Sequence, residues 1–332
     1  MDLDAYLASE HQRGRWRGSA LVRRAGETLL EASYGLADRG TTRPNTPETL
    51  FQIASVSKQF AAAAILLFQE RGALSVHEPL SRWLPECPEA WRRITVHHLL
   101  SHTSGIGHWR DFPGLSLYQP IARDALLGVF QQFPLKFAPG GGWSYSSPAY
   151  VLVAHIVEQV TGEQYADFVR RAIFEPLGMA ESGVGDHAPH RERRALGYAG
   201  EKPLPSFDLD TVSIGAGDIW CTARDLARWD AALMTPGRLL AAESLRAMFT
   251  PHADAGDAFG ELPGARYGYG WFVAKPGGRT IYAHPGDNAG FHALNIVLPA
   301  SDALLILLAN DEDAALKDIG QLLLREALGV TA

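Results

Sequence analysis

A serine and a lysine three positions apart provide the strongest chemical signal in this sequence. Ser55 and Lys58 lie in residues 51–64 (FQIASVSKQFAAAA), where an extended segment leads into a run of strong helix formers. Residues three apart share one face of a helix, so the hydroxyl and the amine can meet. The start of a helix also presents unpaired N–H groups that favour a developing negative charge. The two residues could therefore form an activated serine nucleophile.

The use of lysine at position 58 supports a chemical role. The sequence contains five lysines against 25 arginines, and Lys58 is the one with a serine three positions earlier. A buried lysine can lose its proton and act as a base, whereas arginine cannot. The same pattern also fits a serine that caps a helix and is followed by a surface lysine. This stretch alone leaves both interpretations open.

Composition and charge argue against several other classes of protein. The 332 residues, of which 46% are hydrophobic and 20% charged, can bury the core of one large domain or two lobes. A net charge of −7 gives no basic surface for nucleic acid, and no apolar run is long enough to span a membrane. Cys87 and Cys221 are too few for a disulfide framework, so we expect reduced thiols. The acidic opening MDLDAYL is unlike a secretory signal and predicts a cytoplasmic protein.

Strand patterns at both ends of the chain, with helices between them, predict the architecture. Alternation around a turn at 25–27 predicts a hairpin over 18–34. Further strands are expected at 267–274, 279–283, 292–299 and 303–310. Helical patterns occupy 3–13, 95–101, 122–130, 149–160, 165–174, 222–234 and 313–328.

These patterns favour an α/β (α+β) fold with one antiparallel sheet built from both chain ends and flanked by helices. Residues 1–73 and 206–332 are expected to form this sheet lobe. Residues 74–205 are expected to form an inserted, mostly helical lobe of the same unit.

Three further motifs follow Ser55 along the chain. LLSHTSGI occupies 99–106, PGGGWSYSS occupies 139–147 ahead of a predicted helix, and YAHPGDNAGF occupies 282–291 between two predicted strands. In order and spacing they resemble the class C β-lactamase, D-alanyl-D-alanine carboxypeptidase and family VIII esterase group, whose short signature is Ser-x-x-Lys. GAGD at 215–218 and YGYGW at 267–271 also resemble this penicillin-binding-protein-like group. The resemblance covers nearly the whole chain and implies a β-lactamase/transpeptidase-like fold.

The resemblance implies a serine hydrolase that forms an acyl-enzyme on Ser55 without a metal or cofactor. Lys58 would hold the Ser55 hydroxyl, and Tyr145 matches a tyrosine that moves a proton between nucleophile and leaving group. His284 matches the first position of the group's Lys-Thr-Gly element. The backbone N–H groups of Ser55 and Asp287 would form the oxyanion hole.

Departures from the pattern of the group bear on the substrate. Ser147 stands where asparagine often holds an amide of the substrate, while Gly286 allows the backbone to approach the substrate closely. His284 replaces a permanently charged lysine, and an unperturbed histidine is mostly neutral above its pKa of about 6.5. Asp287 adds a negative charge beside the oxyanion donors. These changes favour small esters, or amides without a penicillin-like carboxylate, and leave weak β-lactam hydrolysis open.

Other functions stay open at this level. Within the group the alternatives are a D-alanyl carboxypeptidase or D-aminopeptidase and a β-lactamase proper. Outside it, the alternative is a catalytically silent scaffold that keeps the fold, because function depends on the site. The presence of serine, lysine and tyrosine together favours an enzyme that acts on a small-molecule ester, amide or β-lactam, with no nucleic-acid or membrane partner.

A metal site is the remaining alternative. Four histidines lie close together in the sequence: His97, His98, His102 and His108. Their spacing is not that of His-Glu-x-x-His, and no acidic residue is in register with them. We therefore expect capping or core roles for these histidines and no metal.

Overall fold

An eight-stranded antiparallel sheet forms the centre of the molecule in a computed structural model, which describes residues 1–256 and 264–330. Its strand order is β10-β11-β12-β13-β14-β15-β1-β2. Strands β3 to β9 lie outside it in smaller sheets. In chain order the strands of both kinds are β1 Gly18–Arg24, β2 Glu27–Tyr34, β3 Leu36–Asp38, β4 Arg43–Pro44, β5 Phe51–Gln52, β6 Gly183–Val184, β7 Tyr198–Ala199, β8 Lys202–Pro203, β9 Ile219–Cys221, β10 Ala253–Asp254, β11 Arg266–Tyr267, β12 Phe272–Ala274, β13 Ile281–Asn288, β14 Phe291–Leu298 and β15 Ala303–Ala309. Segments from both halves of the chain thus share one sheet.

Helices cover both faces of this sheet. They are α1 Leu3–Gln12, α2 Lys58–Glu70, α3 Val96–Leu100, α4 Arg123–Gln131, α5 Ser147–Thr161, α6 Tyr165–Val169, α7 Glu175–Leu177, α8 Ala223–Leu233, α9 Ala242–Phe249 and α10 Leu316–Leu328. Helices α1 and α10 pack on one face, and α2 and α8 pack on the other. In the described part of the chain, no helix has the length and hydropathy that crossing a membrane requires.

The sequence of β15 explains why this strand lies inside the sheet. Its seven residues are all apolar and buried, as expected for a strand covered on both faces. Alternate side chains enter different cores: Ile306 and Leu308 face the core that contains α2, whereas Leu305 and Leu307 face the core beneath α1 and α10. The strand therefore joins two hydrophobic cores.

Helix α2 carries the reactive segment into the middle of the protein. All residues from Lys58 to Phe68 are buried, so the helix has no solvent-facing side over this length. Its alanines allow close packing, and the ring of Phe60 stacks on Trp229 of α8 at 4.1 Å between centroids. Any polar group near the start of α2 is thus placed in a low-dielectric environment.

The antiparallel sheet built from both chain ends is confirmed, as are the hairpin of β1 and β2 and the helix that begins after Thr222. Several predicted elements were wrong in detail. The strand expected at 279–283 continues to Asn288, so most of the motif at 282–291 lies within a strand. The strand expected at 267–274 is two short antiparallel strands, β11 and β12, because Gly270 turns the chain between them with φ of 75°. The helix expected at 165–174 continues beyond Val169 as a π-helical turn. The lobe boundaries near residues 74 and 205 remain a prediction.

Candidate active site

Ser55 lies in a tight turn directly before α2. Residues Ala54–Ser57 form a 3₁₀ turn and the α-helix begins at Lys58, so the serine precedes the regular helix. Ala54 has φ of 47°, an uncommon conformation for a residue with a side chain. Two hydrogen bonds with Ile219 of β9 hold this turn. The Ile53 N–H donates to the Ile219 carbonyl at 3.0 Å, and the Ile219 N–H donates to Ser57 Oγ at 3.1 Å.

The Lys58 amine is buried and contacts the Ser55 hydroxyl. Its Nζ lies 3.0 Å from Ser55 Oγ, 3.1 Å from Ser147 Oγ and 2.6 Å from the carbonyl oxygen of Ala216. Burial lowers the pKa of Lys58 well below its ordinary value, and the carboxylate of Asp218 opposes this effect. Because the Ala216 carbonyl can only accept, a neutral Lys58 can give it one proton and keep its lone pair for the Ser55 proton.

The ring of Tyr145 lies beside the Lys58 amine. The centre of its ring is 4.9 Å from Lys58 Nζ. Burial raises the pKa of the Tyr145 phenol, while the nearby Ser55 hydroxyl opposes this rise. The phenol oxygen has no hydrogen-bond partner among the described residues. The structure thus brings Ser55, Lys58 and Tyr145 together, with Ser147 turned toward the amine.

Two histidines that sequence reasoning had assigned only generic roles position the segment that bears Tyr145. His102 Nδ1 accepts from the Ser146 N–H at 3.2 Å, and His108 Nδ1 accepts from the Ser147 N–H at 3.1 Å. Both rings are therefore hydrogen-bond acceptors for the start of α5. In the described residues no cluster of metal-ligating side chains is present. The motif LLSHTSGI was the signal for His102, although its partners could not be read from the sequence.

His284 is locked as a neutral ring. It is 1% exposed, its Nδ1 donates to the Pro285 carbonyl at 2.6 Å, and its Nε2 accepts from the Tyr267 hydroxyl at 3.0 Å. The carbonyl can only accept, so the ring proton must lie on Nδ1. Burial lowers the pKa of His284 to about 3, and Lys58 contributes in the same direction. The ordinary histidine pKa used for His284 in the sequence analysis therefore does not apply, because the sequence did not show this burial.

Strand β13 runs past the Ser55 turn and carries Gly286 and Asp287. A Cβ at position 286 would lie 2.3 Å from the carbonyl oxygen of Ile53, so only glycine permits this approach. The Asn288 amide donates to Gln52 Oε1 at 2.8 Å and to the Gly217 carbonyl at 3.0 Å, which fixes the strand to its neighbours. The Asp287 side chain is 81% exposed, with Oδ1 3.5 Å from His292 Nδ1.

A cleft of about 770 Å³ opens over Ser55, Tyr145 and Ser147. Its walls include the aromatic side chains of Trp109, Tyr118, Trp143, Phe207 and Phe272. Asp287 and Glu312 lie on one side, and the exposed Arg110 lines the cleft as well. The cleft can therefore hold a small molecule with an apolar group against the reactive serine.

Acid should destabilise the folded protein through His284. Its pKa is about 3 when folded against an ordinary 6.5, so the unfolded chain binds the extra proton first. This contribution is complete above the unfolded pKa and is lost as pH falls from there to the folded pKa of about 3, at about 1.4 kcal/mol per pKa unit. Glutamine does not take up a proton in this range. We therefore expect the free energy of unfolding of His284→Gln to fall by a few kcal/mol less than that of the wild type as the pH decreases. Denaturant titrations at several pH values measure it.

The exposed His187 provides a control for this experiment, because His187→Gln makes the same change of residue type outside the buried site. An unchanged slope of stability against pH in His284→Gln would contradict the assignment of a neutral, buried ring.

The geometry can be compared with known proteins. Residues 3–328 match the family model described as Beta-lactamase. Penicillin-binding protein 4 of Amycolatopsis lactamdurans is 30% identical over 333 residues, which cover 94% of this chain and 86% of the relative. Esterase EstB of Burkholderia gladioli is 38% identical over 229 residues, which cover 64% of this chain and 58% of the relative.

A solved structure is similar over nearly its full length. The D-amino acid amidase of Ochrobactrum anthropi SV3, complexed with L-phenylalanine amide, has a TM-score of 0.83 and 27% identity, with 96% of this chain and 94% of that chain covered. The similarity includes both the sheet and the helical segment. The chain therefore belongs to the beta-lactamase family and is a serine hydrolase of this superfamily.

Proposed function

We propose that this chain hydrolyses small esters or amides through an acyl-enzyme on Ser55. The observation that carries the proposal is the hydrogen bond of 3.0 Å between Ser55 Oγ and the buried amine of Lys58. A desolvated lysine loses its proton more easily, so it can accept one from the hydroxyl at neutral pH. The position of Tyr145 beside both groups supports a role in the same proton transfers.

The protonation states of Lys58 and Tyr145 assign the base and the acid of the reaction. Burial favours the neutral amine of Lys58 and the protonated phenol of Tyr145. Lys58 is therefore the base when Ser55 Oγ attacks the substrate carbonyl, and Tyr145 donates a proton to the leaving group. The N–H groups of Ser55 and Asp287 bind the oxygen that becomes negative. Water then attacks the acyl-enzyme and gives one proton to the Tyr145 phenolate. The ester bond to Ser55 Oγ breaks, and the protonated Lys58 returns the proton to Ser55.

The cleft favours an uncharged substrate near the reacting carbonyl. His284 is neutral, and Asp287 and Glu312 place negative charge on the side that carries the oxyanion donors. A carboxylate next to the scissile bond would be repelled there, whereas the aromatic walls suit an apolar acyl or alcohol group. The names of an esterase and an amidase among the similar proteins support ester and amide chemistry.

A labelling experiment tests this function. A fluorophosphonate should attach to Ser55 alone, as located by peptide mass spectrometry, and a p-nitrophenyl ester should be turned over. Ser55→Ala should abolish both signals, whereas Ser301→Ala, in a turn outside the cleft, should keep them. Labelling of a different residue, or neither labelling nor turnover across esters, D-amino-acid amides and nitrocefin, would favour the silent scaffold instead.

A further inference from the structure

The turn at 213–218 contacts two parts of the candidate site at once. Its Ala216 carbonyl accepts from Lys58 Nζ at 2.6 Å. Its Gly217 carbonyl accepts from the amide of Asn288 at 3.0 Å, one residue beyond Asp287 on β13. Successive carbonyls of one turn therefore hold the amine and the strand that carries an oxyanion donor. Any group that fixes this turn also fixes the distance between them.

The Asp218 side chain braces this turn. It is fully buried, and its Oδ2 accepts from the Gly215 N–H at 2.7 Å. Its own carbonyl accepts from the Gly185 N–H at 2.7 Å, which ties the turn to the segment after β6. Gly215 has φ of 70°, and a Cβ there would lie 2.8 Å from the Tyr150 carbonyl oxygen. The turn is thus pressed against α5 and closed by one carboxylate.

Asp218 is also the carboxylate that acts on Lys58. Among the described residues, it is the negative group that raises the pKa of the amine against the effect of burial. Burial raises the pKa of Asp218 itself to about 7, and the charge of Lys58 opposes that rise. The other groups that face Asp218 are Asp210 on the preceding loop, Arg123 on α4 and Tyr165 on α6.

Three further groups face the amine itself. These are the rings of His102, His108 and His284. Burial lowers the pKa of each ring, and Lys58 acts in the same direction. All three stay neutral at neutral pH, so they do not replace the charge of Asp218. A carboxylate and an amine that interact in a buried site titrate as a pair.

We propose that Asp218 is a positioning residue of this hydrolase, which closes the turn at 213–218 and so holds the Ala216 carbonyl against Lys58. This inference rests on the proposed role of Lys58 as the base. It assigns a function to the GAGD motif that the Ser55, Lys58 and Tyr145 assignments do not use. Two substitutions at Asp218 test the hydrogen bond that closes the turn.

Asp218→Asn removes the charge and can keep the bond. The asparagine oxygen can accept from Gly215, and its NH₂ group can occupy the place of Oδ1, which has no hydrogen-bond partner among the described residues. The turn should therefore stay closed, and we expect kcat/KM on the pH plateau to stay within about threefold of the wild-type value.

Asp218→Ala removes the hydrogen bond to Gly215 as well as the charge. The value of kcat/KM on the plateau should then fall by about tenfold or more, because the Ala216 carbonyl is no longer held. The rate of Ser55 labelling by a fluorophosphonate should fall in parallel. Asp225→Asn is the matched control, since Asp225 is also a fully buried carboxylate but bonds to Ser182 and Arg228 away from the amine.

The experiment measures kcat/KM for a p-nitrophenyl ester from about pH 5 to pH 9 in the wild type and the three variants, with melting temperatures to check folding. Failure of the wild type to hydrolyse the ester or label Ser55 would count against the proposed function. If the wild type is active, an Asp218→Asn variant that loses about tenfold or more in kcat/KM, or a folded Asp218→Ala variant that keeps kcat/KM within about threefold, would overturn the present inference. The asparagine variant keeps the side-chain size and the hydrogen bond, so it decides the question even if the alanine variant does not fold.

Discussion

Lys58→Arg should slow the acylation of Ser55 by about 100-fold or more, which corresponds to about 3 kcal/mol in the barrier. Arginine keeps a positive charge but does not release its proton at working pH, so it cannot take the proton from Ser55. The rate of Ser55 labelling and kcat/KM for a p-nitrophenyl ester both measure this step. The fold should change little, as a melting curve can show.

Lys136→Arg provides the control for this substitution. Lys136 forms an ion pair with Asp111 at 2.6 Å, which an arginine can also form, so near-normal turnover is expected. If Lys58→Arg kept near-normal turnover too, the amine would not be the base and the proton transfer would need another route. Tyr145 would then be the next group to examine.

A short-chain p-nitrophenyl ester should be hydrolysed with a kcat/KM at least about tenfold above that for nitrocefin or a D-alanyl-D-alanine peptide. The last two carry a carboxylate near the reacting carbonyl, where Asp287 and Glu312 contribute negative charge and His284 contributes no positive charge. The ester avoids this repulsion, and its better leaving group needs less help from Ser147. Steady-state kinetics on all three substrates measure the preference.

A substitution and a pH series test the separate effects of Asp287 and His284 on this substrate preference. Asp287→Asn should narrow the gap, because it removes one of the repelling charges, whereas Asp186→Asn, at an exposed position that does not line the cleft, should not. The ratio between the substrates should change little from about pH 6 to pH 8, since a histidine with a pKa of about 3 does not titrate there. A peptide preferred over the ester, or a ratio that falls steeply with pH, would contradict this account.

Much of the architecture followed from local sequence patterns. The alanine-rich run after Lys58 predicted α2, and alternation around residues 25–27 predicted the β1–β2 hairpin. Boundaries were less certain where glycine or a change of helix type intervened. The strand expected at 267–274 is broken at Gly270, and the 3₁₀ turn that places Ser55 ahead of α2 has no distinct pattern of its own.

The candidate site was predictable in its residue types but not in its contacts. The Ser55–Lys58 spacing predicted a shared face, and their separation of 3.0 Å agrees with that geometry. The partners of His102 and His108, at the start of α5, come from a segment far away in the sequence, so nothing local indicated them. The low pKa of His284 depends on burial by Tyr267 and its neighbours, which is a property of the tertiary structure.

The pairing of β1 with β15 has a consequence for how the protein is made. Leu21 lies opposite Ile306, so this ladder joins residues from opposite ends of the sequence. During synthesis the amino-terminal hairpin leaves the ribosome long before its partner strand exists, and its open edge must wait unpaired. Contacts of such high sequence separation slow folding. The reactive serine turn, which packs on β13, can gain its final surroundings only when nearly the whole chain has emerged, so translation itself delays the appearance of activity.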